Sequence, residues 1–264
     1  MSEDKVKAKK SYGQNFLNND SILEQISSLC GSGDRLIIEI GPGIGALTKK
    51  LSEKYARVRS VELDKSLADV LESELGECSN VEVLYEDFLK LDIGNLIGDW
   101  NGKISVCANI PYYITSPIVD KLMDNAQLFD NIVLLVQKEV ADKLCAETGS
   151  GDAVPLTYKL KYYADIKKCL NVAPGNFTPP PKVWSTVVKI DIKERYQCSE
   201  EKLFKLIEAG FYQRRKKFVN SVRESGLFSK DSIIDALKKA GINNDVRGEN
   251  LTLEQYIDVL ENLT

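Results

Sequence analysis

Three glycines follow an apolar stretch near the start of the chain, in the pattern Gly41-Pro42-Gly43-Ile44-Gly45. Glycine lets a backbone turn sharply and approach a ligand closely at such a position. Glu62 lies 21 residues after Gly41, where a carboxylate can accept hydrogen bonds from both hydroxyls of a ribose. The glycines alone also fit a tight strand-to-helix turn, so it is their combination with Glu62 that indicates an adenosyl ligand.

Two adenosyl ligands fit this loop, a nicotinamide dinucleotide and S-adenosylmethionine. The third glycine, Gly45, comes one position earlier than in the dinucleotide pattern G-x-G-x-x-G. Glu39 precedes the loop, and a carboxylate there disfavours a pyrophosphate but suits the α-amino group of a methionine moiety. Asp87, at the end of a later predicted strand, can accept a hydrogen bond from the exocyclic amine of adenine. The alternative, a solvated carboxylate or a helix cap, explains Asp87 equally well. Together these residues favour S-adenosylmethionine.

A second chemical motif, Asn109-Ile110-Pro111-Tyr112, directly follows a predicted strand. The side-chain oxygen of Asn109 and a main-chain oxygen such as that of Ile110 can bind the two hydrogens of an aromatic amine. Its lone pair then points at a sulfonium methyl group. Pro111 fixes the turn, and Tyr112 offers a ring for a base that has left its own strand. A strand-ending turn with a buried tyrosine explains each residue singly, but not all four beside an adenosyl loop.

The sequence has no histidine, and its six cysteines are at least 24 residues apart. This excludes Ser-His-Asp and Cys-His catalysis, histidine-ligated zinc and paired-cysteine sites. We therefore expect no metal and six reduced thiols. Methyl transfer to an amine is compatible with this composition, because the methylated ammonium is acidic enough to lose its proton to water.

These motifs require a scaffold that brings them to one edge of a sheet. Apolar runs alternate with helical stretches, which predicts βαβ units and a parallel sheet. Two further strand-like runs, 167–172 and 185–192, flank a proline-rich turn and predict an antiparallel hairpin. From about Glu200 only helical spacing is found, including one helix over 203–223. The five predicted parallel strands are 35–40, 58–63, 81–85, 104–108 and 131–137.

This pattern predicts an α/β fold with two domains, a cofactor-binding catalytic domain over 1–192 and a small all-helical domain over 193–264. The 264 residues carry a net charge of −4 and are 43% hydrophobic. The longest apolar run, Ile132–Val136, is far shorter than the ~20 residues of a membrane span, and the polar N-terminus lacks a secretory signal. We expect a cytoplasmic monomer with no membrane partner.

Together the motifs resemble those of the ribosomal RNA adenine N6,N6-dimethyltransferases, in particular the small-subunit (16S rRNA) branch. The resemblance covers nearly the whole chain and includes GQNFL at 13–17, EIGPGIGALT at 39–48 and FTPPPKV at 177–183. It implies a Rossmann-like class I S-adenosylmethionine-dependent methyltransferase sheet. It also implies dimethylation of two adjacent adenosines near the 3′ end of small-subunit rRNA, on an immature small ribosomal subunit, and a role in subunit biogenesis.

The resemblance also assigns roles to individual residues. Phe177 is expected to help clamp the flipped adenine beside the catalytic residues Asn109, Ile110, Pro111 and Tyr112. One departure is Tyr113, where the family commonly has asparagine; this ring either alters base stacking or packs inward. The expected cofactor-binding residues are Asn15, Leu17, Glu39, Gly41, Gly43, Gly45, Glu62, Leu63, Asp87, Phe88 and Asn109.

The stretch Phe211–Arg223 carries five positive charges and no negative one, and its QRRK sequence resembles a motif of the small-subunit branch. Such a run of cations usually forms a solvated helix face. Here we expect contacts with RNA phosphates. The Lys5–Lys10 tract is either an arm that orders on RNA or a solubilising tail. The expected RNA-binding residues are Arg214, Arg215, Lys216, Lys217 and Arg223.

Three other functions remain open. A large-subunit rRNA adenine methyltransferase of the macrolide-resistance type has the same catalytic domain, but Gln213–Lys216 and Arg247–Glu254 resemble the small-subunit branch. A non-catalytic ribosome-assembly or transcription factor is disfavoured by the intact motif Asn109–Tyr112. A nicotinamide dehydrogenase fits the glycine loop least well.

Overall fold

The structure, a computed structural model, describes residues 13–193 and 196–263. Its strands are β1 (Phe16–Leu17), β2 (Arg35–Ile40), β3 (Arg57–Val61), β4 (Val81–Leu84), β5 (Lys103–Asn109), β6 (Asn131–Gln137), β7 (Ala164–Val172), β8 (Phe177–Thr178) and β9 (Ser185–Ile192). Its helices are α1 (Asp20–Ser28), α2 (Ala46–Ser52), α3 (Ala68–Leu75), α4 (Ile93–Ile97), α5 (Thr115–Asp124), α6 (Lys138–Leu144), α7 (Pro155–Tyr163), α8 (Glu200–Phe211), α9 (Phe218–Glu224), α10 (Lys230–Lys239) and α11 (Leu253–Glu261).

Seven strands form one sheet in the order β4-β3-β2-β5-β6-β9-β7. The five strands from β4 to β6 are parallel, and β9 runs antiparallel to β6. The α/β prediction is confirmed. The chain leaves β2 toward β3 on one side and later returns to β5 on the other. At such a switch point the carboxyl ends of the strands leave a crevice for a ligand.

The central strand β2 owes its position to its sequence, RLIIEI, all six residues of which are buried. An apolar run of this kind is typical of a parallel strand that is covered on both faces. Ile37 belongs to a core cluster with Leu51 and Tyr55 of the α2 region and Val133 of β6. The core therefore lies directly under the loops that follow β2 and β5.

A separate two-stranded ladder pairs β1 with β8 in antiparallel orientation. Phe16 faces Thr178, and Leu17 faces Phe177. This ladder, which the sequence did not predict, brings the segment that begins at Gly13 beside the proline-rich turn. As a result, two of the motifs that are far apart in the sequence become neighbours.

The chain divides into two compact units. The first contains residues up to Ala141 and Lys167–Ile192, and the second contains Asp142–Ile166 and the chain from Lys193. One junction between the units falls after Ile192, and Asp142–Ile166 belongs with the C-terminal helices. Tyr158 of α7 gives the physical reason: its hydroxyl donates to the Leu251 oxygen at 2.7 Å.

The prediction of a single helix over 203–223 is wrong, because α8 ends at Phe211 and α9 begins at Phe218. The buried Ser221 hydroxyl donates to the Ala209 oxygen at 2.7 Å and accepts from the Gln213 amide at 2.9 Å. In a continuous helix the Gln213 amide would donate directly to the Ala209 oxygen. Here the Ser221 hydroxyl lies between these two groups, so the helix is interrupted.

No helix in the described part of the chain combines the length and the apolar character that a membrane span needs.

Candidate active site

A cleft opens within the first unit where the loops after β2, β3, β4 and β5 meet the segment around β1. Nine of the eleven predicted cofactor-binding residues and all four residues of the Asn-Ile-Pro-Tyr motif line it. Glu39, Gly45 and Phe177 do not. The predicted residues that line it are Asn15, Leu17, Gly41, Gly43, Glu62, Leu63, Asp87, Phe88, Asn109, Ile110, Pro111 and Tyr112.

The glycine loop needs glycine for its backbone shape. Gly41, Gly43 and Gly45 have φ values of 72°, 59° and 84°, which residues with a Cβ rarely adopt. A Cβ at Gly43 would also lie 3.0 Å from the ring of Phe16. The loop thus presents bare backbone to the cleft, while Gly45 begins α2 behind it.

Glu62 is 6% exposed, and its carboxylate joins the loop after β2 to the loop after β3. One carboxylate oxygen accepts from the Gly43 amide at 3.1 Å, and the other accepts from the Asp64 amide at 2.8 Å. Burial raises the pKa of this carboxyl, although the two amides oppose the shift. Glu62 therefore holds the glycine loop in place while it faces the cleft.

Glu39 lies behind the glycine loop and not in the cleft. Its side chain is 1% exposed, and one oxygen accepts from the hydroxyls of Thr48 at 2.7 Å and Ser60 at 2.6 Å. Burial raises the pKa of this carboxyl to about 7, against the effect of those hydroxyls. The structure thus shows a role for Glu39 in joining β2, α2 and β3; the predicted contact with a methionine amino group stays a prediction.

Asp87 lies in the cleft and also caps a turn; its contact with adenine stays a prediction. It lines the cleft, and its Oδ1 accepts from the Leu89 amide at 3.0 Å, which caps the turn after β4. Lys90 lies 3.4 Å from the other oxygen, Oδ2. This carboxylate can therefore accept a further hydrogen bond from the cleft side without losing its structural contacts.

The Asn109 side chain is oriented by the N-terminal segment. Its Nδ2 donates to the Asn15 main-chain oxygen at 3.1 Å, and Asn15 is itself held by a bond from its own Nδ2 to the Gly13 oxygen at 3.0 Å. Oδ1 of Asn109 has no hydrogen-bond partner within residues 13–193 and 196–263. The bond from Nδ2 to Asn15 fixes the orientation of the amide, and Oδ1 is then the acceptor that Asn109 offers to a ligand in the cleft.

The rest of the motif has equally defined partners. The Ile110 amide donates to the Leu135 oxygen of β6 at 3.3 Å, and Pro111 has a φ of −57°. The Tyr112 hydroxyl lies 2.8 Å from the buried Ser185 hydroxyl, which fixes the ring at the cleft wall. Tyr113 is 57% exposed and also lines the cleft, so it does not pack inward.

Phe177 is buried and is not among the residues that line the cleft. It is 3% exposed and belongs to the same core cluster as Leu17, its partner across the β1–β8 ladder. Its expected role as a clamp on the base stays a prediction. Gln14, which sequence reasoning passed over, does line the cleft and donates to Asp64 at 3.1 Å. The GQNFL segment was the available signal, but only Asn15 and Leu17 were chosen from it.

The predicted RNA-binding cations lie in the second unit, and acidic neighbours pair with most of them. Arg214 is 3.2 Å from Glu249, Lys217 is 2.5 Å from Asp245, and both Lys216 and Arg223 contact Glu224. Arg215 is exposed and has no acidic partner in the described part of the chain. Four of the cations, Arg214–Lys217, lie on the turn between α8 and α9, and Arg223 lies in the last turn of α9.

The sheet order and the position of the cleft define the fold of class I S-adenosylmethionine-dependent methyltransferases. The solved structure of a dimethyladenosine transferase from Plasmodium falciparum is 26% identical with a TM-score of 0.77, covering 92% of this chain and 95% of that one. The 23S rRNA methyltransferase ErmE is 25% identical with a TM-score of 0.74, covering 94% and 99%.

A model of the family described as ribosomal RNA adenine dimethylase matches residues 5–264. Two proteins named ribosomal RNA small subunit methyltransferase A are also similar. The one from Lachnoclostridium phytofermentans is 42% identical, covering 94% of this chain and 88% of its own; the one from Clostridium acetobutylicum is 39% identical, covering 94% and 90%. The chain belongs to the ribosomal RNA adenine dimethylase family, and it is a methyltransferase.

Proposed function

We propose that this protein transfers methyl groups from S-adenosylmethionine to the N6 amines of two adjacent adenosines near the 3′ end of small-subunit rRNA. The observation that carries the proposal is the orientation of Asn109. Its amide nitrogen donates to the Asn15 oxygen, which leaves Oδ1 as the acceptor beside the glycine loop. A side-chain oxygen held in this way suits the N–H of an aromatic amine.

The cleft fits the proposed cofactor. S-adenosylmethionine, when bound, supplies an electrophilic methyl group on sulfur. In this proposal Glu62 accepts hydrogen bonds from the ribose hydroxyls, and Asp87 accepts one from the adenine amine; both residues line the cleft. Because the glycine loop has no side chains at Gly41 and Gly43, its backbone leaves room for the cofactor. A Cβ at Gly43 would already contact Phe16.

The residues of the motif act on the target amine. Oδ1 of Asn109 and the main-chain oxygen of Ile110 each accept one N–H, which favours a pyramidal nitrogen whose lone pair is available. Tyr112, with its hydroxyl held at Ser185, provides a fixed ring face for the everted base. The proton of the methylated ammonium passes to water, so no histidine is required.

The choice of the small subunit is supported by the relatives' names. The proteins named as small-subunit methyltransferases are 42% and 39% identical to this chain, whereas the large-subunit enzyme ErmE is 25% identical. The proposed partner is therefore an immature small ribosomal subunit, contacted through its rRNA. The alternative, methylation of the large subunit, is supported by the likeness to the structure of ErmE.

The test of catalysis is Asn109→Ala. Methyl transfer to small subunits that lack the modification should fall at least about a hundredfold, as for other oriented polar groups at reaction centres. S-adenosylmethionine affinity, measured by calorimetry, should change only a few fold. Asn262→Ala is the matched control, because that asparagine also donates to a main-chain oxygen, at 2.8 Å, but on an exposed helix end. Full activity of Asn109→Ala would refute the assigned role.

The same methyl-transfer assay, run on separated small and large subunits, decides which rRNA is the substrate. Labelled methyl groups should appear in the small-subunit rRNA as N6,N6-dimethyladenosine, which mass spectrometry of nucleosides identifies. Labelling of large-subunit rRNA alone would overturn the small-subunit assignment. No labelling by a protein that still binds and releases small subunits without S-adenosylmethionine would instead support a non-catalytic assembly factor.

A further inference from the structure

Exposed apolar side chains in the first unit gather at one place. Across the described residues, seven large apolar side chains are exposed, and five of these belong to the first unit. Leu63, Leu89 and Tyr113 line the cleft. The other two, Val183 and Trp184, directly precede Ser185, the hydrogen-bond partner of Tyr112. A cluster of exposed apolar side chains at one edge of a protein is typical of a binding surface.

Two of these side chains are aromatic and flank the catalytic motif. Tyr113 follows Tyr112, and Trp184 precedes Ser185; the Tyr112 and Ser185 hydroxyls are 2.8 Å apart. The two exposed rings therefore belong to chain segments that meet at the catalytic motif. Tyr113 is 57% exposed and Trp184 is 51% exposed. The mechanism proposed above uses neither ring.

Both rings project from fixed backbone. The Tyr113 ring packs against Gly13, where an added Cβ would lie 3.3 Å from two ring carbons. The Trp184 main-chain oxygen accepts from the Lys138 amide at 2.9 Å. Aromatic rings held in this way lose little conformational entropy when a ligand stacks on them.

We propose that Tyr113 and Trp184 are stacking platforms for the nucleotides that flank the target adenosine in single-stranded RNA; this rests on the proposed function. An everted base leaves its neighbours unstacked, and aromatic side chains replace the lost stacking for any base. The pair therefore aligns the strand at the cleft and favours single-stranded over paired substrate.

The charge around Trp184 fits a polyanion. Residues 166–190 contain four lysines and no acidic residue, but two of the lysines, Lys167 and Lys189, pair with Asp191. Lys182, two positions before Trp184, is exposed and has no acidic partner within the described ranges. A cation beside an exposed indole suits a phosphate and its base, whereas an acidic protein surface would satisfy the lysine and leave the rings without a stacking partner.

The kinetic test uses Tyr113→Leu and Trp184→Leu, with Tyr113→Phe and Trp184→Phe to restore a ring. With immature small subunits as substrate, each leucine variant should raise KM about tenfold or more, the effect expected for one stacked base, with kcat within about twofold. S-adenosylmethionine affinity should be unchanged in Trp184→Leu, because Trp184 is not among the residues that line the cleft. The phenylalanine variants should recover most of the loss. A leucine variant with unchanged KM, or one that lowers kcat alone, overturns the proposal.

A spectroscopic test reports on stacking directly. The chain has two tryptophans, and Trp100 lies at the opposite, amino-terminal end of β5, under the guanidinium of Arg57. Trp100→Phe therefore leaves Trp184 as the single indole and serves as the activity control. Single-stranded oligoadenylate should quench its fluorescence, and a self-complementary RNA duplex of equal length should not. Absence of quenching, or equal quenching by the duplex, refutes the proposal.

Failure of this inference and failure of the proposed function are distinguishable. A wild-type protein that does not methylate small-subunit rRNA contradicts the function itself. A wild-type protein that methylates, together with leucine variants of normal KM, contradicts only the stacking role. In a third case, the leucine variants have a raised KM with immature small subunits, but oligoadenylate does not quench the fluorescence of Trp184. The rings would then contact a ribosomal protein and not RNA, which also overturns the proposal.

Discussion

The ammonium group of Lys121 donates a hydrogen bond to the main-chain oxygen of Leu89 at 2.9 Å. It also donates to the Leu91 oxygen and lies 5.4 Å from the centre of the Phe88 ring. Lys121 belongs to α5, the helix that follows the catalytic motif. This one side chain therefore fixes the loop after β4, which carries Asp87 and Phe88, to the element next to the motif.

Replacing Lys121 with methionine should weaken S-adenosylmethionine binding about tenfold, because the loop after β4 loses charge-assisted hydrogen bonds worth ~1.5–3 kcal/mol each before relaxation. Calorimetric titration with the cofactor measures this directly. Lys205→Met is the matched control, since Lys205 holds an exposed i,i+4 pair with Glu201 in the second unit. Equal affinities for Lys121→Met and the wild type would show that the loop holds its shape without the lysine.

The carboxyl of Glu39 predicts a pH dependence of stability. Burial raises its pKa from 4.5 to about 7, so between these pH values the folded protein binds a proton there that the unfolded chain has released. Stability therefore falls as pH rises through this window and is constant with respect to this group above it. The shift corresponds to about 3 kcal/mol as an upper limit.

Glu39→Gln removes this titration while it keeps an oxygen for the Thr48 and Ser60 hydroxyls. The free energy of unfolding of the variant, minus that of the wild type, should rise between pH 5 and pH 8, by up to about 3 kcal/mol. Urea denaturation at several pH values measures the difference. Glu53→Gln, an exposed change of the same kind at the end of α2, is the control. A flat difference for Glu39→Gln would mean that this carboxyl is ionised throughout.

Much of the sheet is predictable from the sequence, because its strands are buried apolar runs bounded by turns. The strands 131–137 and 185–192 were predicted at their observed bounds. Short helices such as α4 were missed, since five residues give no helical periodicity. The division of α8 from α9 depends on the Ser221 hydroxyl, a contact between residues that no local pattern reveals.

The candidate site was predictable as far as its residues follow strand ends. Glu62, Asp87 and Asn109 each end or follow a parallel strand, and topology then brings them to one edge. Glu39 has the same kind of position but faces the protein interior, because side chains alternate along a strand. The burial of Phe177 was not predictable for another reason: it accompanies the pairing of β8 with β1, a ladder of two residues that the sequence pattern does not show.

A glycine-to-alanine change tests the shape of the loop. Gly43→Ala places a Cβ 3.0 Å from Phe16 at a φ of +59°, so both the backbone and the cleft wall must shift. The left-handed conformation alone should cost about 1–2 kcal/mol of stability, and S-adenosylmethionine should bind at least about tenfold more weakly. Gly175→Ala, which has open space and ordinary φ, should change neither. Normal cofactor affinity in Gly43→Ala would show that the loop does not form the cofactor site.

The ion pairs around the turn between α8 and α9 predict unequal contributions of its cations to RNA binding. Lys217 must leave Asp245, and Lys216 must leave Glu224, before either contacts a phosphate. Arg215 has no acidic partner in the residues that the structure describes, so it can bind a phosphate without first breaking a contact. Exposed pairs are weak, at ~0–1 kcal/mol, but that range is enough to rank the cations.

Arg215→Ala should therefore weaken binding to immature small subunits more than Lys217→Ala does, and it should reduce the slope of log affinity against log salt by about one. Filter binding across a series of KCl concentrations measures both quantities. Lys205→Ala in α8, a cation that is also ion-paired but lies outside the turn, is the control and should leave the slope unchanged. A larger loss for Lys217→Ala than for Arg215→Ala would mean that RNA separates the Lys217–Asp245 pair and that pairing in the free protein does not rank the contacts.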